Sequence, residues 1–156
     1  MRRVTVLAFA AVLAGSAACG GGVRPAYSPF SNARIDTVDA EPADVVQEIA
    51  SRISAEGMRL NWNSPQEGFL ETQWYDLVTR ESGQTSRSNP DRVILLRFWA
   101  DPIGPGRSKL TAEAVLKRTT DPSVLPREQE MMAPPGHGGT RLLDRVIAGT
   151  HERFGR

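Results

Sequence analysis

The chain has 156 residues, 40% of them hydrophobic, with 19 basic and 18 acidic side chains and a single cysteine. That length gives one domain with an ordinary hydrophobic core and is short for two. A near-neutral chain without a basic block has no electrostatic footprint for nucleic acid, and one cysteine excludes an internal disulfide.

Residues 1–18 read as an export signal. Arg2 and Arg3 form a positive start, Val4 to Leu13 is apolar except for Thr5, and Ala14-Gly15-Ser16-Ala17-Ala18 supplies small residues for a signal peptidase. The apolar run is far below the roughly 20 residues of a membrane-spanning helix. Cys19 follows directly. This segment resembles the signal of bacterial lipoproteins, with Ser16 where that family favours leucine. The resemblance implies cleavage before Cys19, acylation of its sulfur and attachment to a membrane. Removal of residues 1–18 takes two arginines and no acid, leaving 17 basic and 18 acidic residues. No polybasic patch would assist attachment, so the acyl chains would have to hold the protein. Gly20 after the cysteine fits outer-membrane rather than inner-membrane sorting, by resemblance to enteric lipoproteins.

Residues 19–32 are rich in Gly, Pro and Ser without apolar period and predict a flexible tether. Residues 33–156 are expected to form a single domain. Ala33 to Val38 suits a short strand. Pro42 opens a helix in which Val45, Val46, Ile49 and Ile53 share one face, and Gly57 ends it. Leu60 to Asn63 is a brief strand, Ser64 to Gly68 a turn, and Phe69 to Val78 one strand of aromatic and β-compatible residues. Arg80 to Pro90 reads as a polar loop. A strand over Arg92 to Ala100, the turn sequence Asp101 to Gly106, and an alternating strand over Lys109 to Arg118 follow. Asp121 to Gly139 is Pro-rich and without period, the signature of a long irregular loop. Thr140 suits the cap of a last helix carrying Leu143, Val146, Ile147, Thr150 and Phe154 on one face. The order predicts an α+β domain: a small antiparallel sheet with an N-terminal and a C-terminal helix packed on it.

Catalytic and metal signatures are sought without result. His137 and His151 lack the short paired spacing that zinc requires and read as surface residues. No nucleophile motif such as G-x-S-x-G occurs, and Gly136-His137-Gly138-Gly139 lacks the lysine and spacing of a phosphate loop. Glu71 and Asp76 fall on opposite faces of their strand, and Glu128 and Glu130 belong to the long loop, where solvated charge is the default. The expectation is a non-catalytic protein without metal or cofactor.

The amphipathic helix ending at Gly57, the turn at Gly68 and the strand Phe69-Leu70-Glu71-Thr72-Gln73-Trp74, followed by a hairpin and closing helix, are similar to the helix-grip domains of BamC/NlpB-like lipoproteins. That family consists of accessory members of the outer-membrane barrel assembly machinery. The resemblance spans about Ile35 to Arg118 and the final helix, and implies an envelope scaffold with a protein partner and no catalytic residues. Two surfaces are candidates for its work. Tyr75, Trp99, Val93 and Leu95 would lie on an outer sheet face and bind a partner, unless the N-terminal segment, the long loop or the last helix covers them. Leu60, Trp62, Trp74 and Phe98 would line an apolar pocket between helix and sheet, making the protein a ligand carrier, unless they simply fill the core.

Overall fold

The computed structural model describes residues 24–83, 91–118 and 123–155. Residues 1–18, expected to be an export signal, Cys19 and the first part of the expected tether lie outside the described residues. The fold is α+β: an open antiparallel sheet and two helices.

Helix α1 spans Pro42–Ala55 and begins with proline, whose missing N–H costs nothing in the first turn. Val45, Val46, Ile49 and Ile53 are buried along one face. Each such burial is worth about 1.5–3 kcal/mol before ordering entropy is deducted. The helix closes in a Schellman motif: Met58 N–H donates to the Ile53 carbonyl and Gly57 N–H to that of Ser54, with Gly57 at φ 82°.

The strands are β1 (Arg34–Val38), β2 (Leu60–Ser64), β3 (Phe69–Thr72), β4 (Tyr75–Asp76), β5 (Glu81–Ser82), β6 (Val93–Gly104), β7 (Arg107–Lys117) and β8 (Glu130–Met132). Their order is β1-β7-β6-β3-β2. Strand β4 also pairs with β6, β5 with β4, and β8 with β7. On β6 and β7 the residues alternate cleanly. Ile94, Leu96, Phe98, Ala100, Leu110, Ala112, Ala114 and Leu116 join the α1 residues and Leu142, Leu143, Val146 and Ile147 of the last helix in one core. Val93, Leu95, Arg97, Trp99, Thr111, Glu113 and Val115 are turned the other way, and they too are buried.

Four expectations are corrected. The strand expected over Phe69 to Val78 is two strands, because Glu71 pairs with Arg97 and Tyr75 with Ile94. Four residues on one side thus match three on the other, and the extra residue turns Tyr75 from the outer face into the inner core, as a bulge does. The turn expected over Asp101 to Gly106 is confined to Pro105-Gly106, while β6 continues to Gly104. Proline's fixed φ and glycine's positive φ (65°) suffice for so tight a turn. The segment expected to be irregular up to Gly139 contains a 3₁₀ turn over Pro126–Gln129 and β8, which pairs Met131 with Leu116 and Met132 with Val115. Finally, α2 (Gly138–Phe154) is capped by His137 and not Thr140. The His137 Nδ1 accepts from Gly139 N–H at 3.0 Å, and its other ring nitrogen meets the Asp91 carbonyl. Thr140 sits one turn inside and bonds back to the Pro134 carbonyl.

Candidate functional site

Residues 24–32, expected within the flexible tether, lie as a strap along the outer face of the sheet. Arg24 pairs with Asp101 at 2.7 Å. The Tyr27 ring meets Trp99 edge-on at 6.5 Å between centroids, and Phe30 N–H donates to a Glu113 carboxylate oxygen. The strap therefore begins beside the β6–β7 hairpin end, crosses the middle of the sheet and enters β1.

Beneath it is the densest set of ionisable groups in the described residues. Arg97 donates through Nε to Glu71 at 2.5 Å and through its two terminal nitrogens to both oxygens of Glu130 at 2.6 and 2.8 Å. Arg127 bridges Glu113 and Glu130 at 3.1 Å. Asn61 and Tyr27 donate to Glu71 at 2.7 and 3.2 Å. Every oxygen of the three carboxylates thus has a donor. The guanidinium carbons of Arg97 and Arg127 stand 5.1 and 4.8 Å from the Tyr27 ring centre, and that of Arg127 is 3.7 Å from Phe30. Burial by itself would lower the Arg97 pKa, but the bonds to Glu130 and then Glu71 hold it above its ordinary value. Burial pushes the Tyr27 hydroxyl up to about 12, with the Arg97 charge opposing and Glu71 reinforcing.

Such carboxylates act as paired acceptors of charge-assisted hydrogen bonds. Glu130, expected as a solvated loop charge, is instead a buried partner of Arg97, because β8 brings it alongside β7. This cluster was missed in the sequence. Its signal was Arg97 among apolar residues on one face of β6 and Glu113 on the polar face of β7.

The partner-binding candidates divide. Trp99, Val93 and Leu95 lie on the outer face but are 1%, 5% and 4% exposed. Trp99 is covered by Tyr27 and by Phe69, whose ring centre is 5.4 Å away. Tyr75 is in the inner core and donates to the Glu56 carbonyl. The pocket candidates are not brought together. Phe98 is wholly buried on the inner face, with Leu60 packed against the same core. The register shift between Leu60 and Trp62 turns Trp62 outward, where it meets Phe69 edge-on at 5.8 Å. Trp74 instead lines a cavity of about 390 Å³ with Asn61, Leu95 and the Glu71–Arg97–Glu130 group.

Among the described residues, no group of three or more His, Cys, Asp or Glu is placed to hold a metal, and no helix is long and apolar enough to cross a membrane. His151, expected at the surface, pairs through Nε2 with Asp36 at 3.0 Å. Compared with known proteins, the chain matches no family model and no curated protein.

Proposed function

We propose that this chain is a lipid-anchored envelope protein, acylated at Cys19, whose helix-grip-like domain serves as a non-catalytic scaffold or accessory module on the periplasmic side, with outer-membrane assembly as its setting. The observation that carries this reading is the use made of the ionic cluster. Its carboxylates and guanidinium groups fasten the segment that follows the cysteine to the sheet, so the densest polar chemistry holds an anchor segment in place. The two helices, whose apolar faces share one core with the inner sheet face, are consistent with the helix-grip type.

Cys19→Ser tests it. The wild type is expected in the membrane fraction with an acylated N-terminal mass, and the variant in the soluble periplasm or retained with its signal uncut. An unmodified wild-type mass with unchanged partitioning of the variant would sink the anchor. Crosslinking in the native envelope should then capture a protein partner with the wild type.

One observation favours a second reading, a carrier of apolar ligands. A cavity of about 450 Å³ lies between β1, β8 and α2, with Ile35, Ala114, Met132, Ala133 and Leu143 in its wall. Binding of a fluorescent fatty acid to the Cys19→Ser protein, lost on Leu143→Trp with the fold intact, would support it. Absence of binding would remove it.

A further inference from the structure

Because the strap is built into the sheet, the length of chain free to separate domain from membrane is short. Only Gly20 to Val23 lie between Cys19 and Arg24, and Arg24 is fixed to Asp101. Five residue steps, fully extended, span at most about 18 Å, against about 40 Å for a free twelve-residue tether.

The direction of exit is also set. From Phe30 near Glu113, through Tyr27 near Trp99, to Arg24 at Asp101, the strap runs backward toward the β6–β7 hairpin. That hairpin continues past Asp101 through Pro102, Ile103 and Gly104 to the Pro105-Gly106 turn, adding about 10 Å beyond the point of attachment. Ile103 at its end is 51% exposed.

We infer that the β6–β7 hairpin end of the domain is its lipid-facing surface, with Ile103 meeting the bilayer interface beside the acylated Cys19. This rests on the anchor reading above. The charges at this end are largely paired: Arg24 and Lys109 with Asp101 and Arg107 with Asp39, while Glu41 accepts from Gly106 N–H. Exposed Glu67 in the neighbouring β2–β3 turn adds an acid. Attraction to anionic lipid is therefore not the cause; the short connection holds the hairpin there, and its apolar tip makes the contact. The opposite end of β6, about 37 Å away at the strand's rise, carries Val78 and Leu125, both more than 60% exposed, and points away from the lipid.

The test uses the full-length acylated protein in vesicles of phosphatidylethanolamine and phosphatidylglycerol. Acylation leaves an introduced cysteine as the one free thiol, so nitroxides are placed by Ile103→Cys, Val78→Cys or Leu125→Cys. A headgroup-attached nickel chelate should relax the label at 103 strongly and those at 78 and 125 little. Inserting about 20 Gly-Ser residues between Gly22 and Val23 should bring the label at 103 down to their level without releasing the protein, because a flexible linker of that length restores free reach. Equal relaxation at the three sites in an acylated protein, or stronger relaxation at 78 or 125, overturns this orientation and leaves the anchor standing. So does protection of residue 103 by a crosslinked protein instead of lipid. An intact mass without acyl chains overturns both.

Discussion

Arg97 and Glu113 face each other across the β6–β7 ladder, yet their closest approach is 3.8 Å, and the shorter bonds of Arg97 go to Glu71 and Glu130. Arg127 takes up Glu113 instead. The two guanidinium groups, one on β6 and one on the 3₁₀ turn before β8, thus share three carboxylates on β3, β7 and β8. The strap closes over both, so the cluster ties elements far apart in sequence to one patch of sheet.

Arg97→Met should therefore destabilise the fold by about 3–5 kcal/mol, since it leaves carboxylates buried without their cation. Adding Glu71→Gln and Glu130→Gln to that variant should restore part of the loss, because the uncompensated charges go with them. Urea denaturation of the single and triple variants measures this. A single variant within about 0.5 kcal/mol of wild type, the range of ordinary surface substitutions, would mean the cluster is open to water.

Gly68 makes a sharper steric case. It has φ 62°, its carbonyl accepts from Ala100 N–H at 2.8 Å, and an added Cβ would lie 2.1 Å from the Ala100 carbonyl oxygen. Left-handed backbone alone costs an L-residue about 1–2 kcal/mol, and here the clash is with backbone that cannot swing aside. Gly57 is also left-handed, at φ 82°, but has nothing within 4 Å of its Cβ position. Gly57→Ala should lose about 1 kcal/mol and Gly68→Ala clearly more, to the point of failing to fold. Equal losses in thermal melts would refute the close approach.

The difference between what was legible and what was not follows from the range of the interactions. Helix α1 was readable because proline, the apolar spacing and Gly57 are all local. The two faces of β6 were readable because alternation is local too. The break after Thr72 was not, since it depends on the register of β4 against β6. Glu130 looked like a loop charge because nothing nearby announces that it pairs across β7. The N-terminal segment was one of three possible covers for the outer face, and its contacts there were hidden for a similar reason. Arg24, Tyr27 and Phe30 recur at every third residue and not with the two-residue alternation of a half-buried strand, and their partners Asp101, Trp99 and Glu113 lie more than 70 residues away. Had Arg97 been placed opposite Glu113, the need for further carboxylates and a cover would have followed from the cost of a buried cation.

Asp76 carries an acid-side prediction. Its side chain is 2% exposed. Burial would raise its pKa, but the N–H groups of Val78 and Thr79 and the Arg92 guanidinium at 2.6 Å hold it below its ordinary value of 3.8. A folded pKa depressed in this way gives stability that is complete above 3.8 and lost as pH falls through the lower folded value. Asp76→Asn should therefore be less stable than wild type at pH 7, with the gap narrowing below pH 3.8. A gap that is constant across this range would mean the carboxylate is not ionised in its turn.

Tyr27 tests the strap from the alkaline side. Its pKa is raised from 10.0 to about 12, because burial disfavours the phenolate and Glu71 accepts from the neutral hydroxyl. A raised folded value means the stabilisation is complete below pH 10 and disappears as pH rises toward 12. The chain has two tyrosines, so Tyr75→Phe leaves Tyr27 as the only phenol. Its absorbance near 295 nm should then titrate close to pH 12. As the phenolate forms, the strap should lift and tryptophan emission should shift to the red, since Trp99 loses its cover. Arg97→Met removes the opposing cation, so the midpoint should not fall if the rest of the strap stays seated. An ordinary midpoint near 10 in the Tyr75→Phe protein, with no accompanying change in emission, would mean that Tyr27 is solvated and that the segment after Cys19 does not cover the sheet.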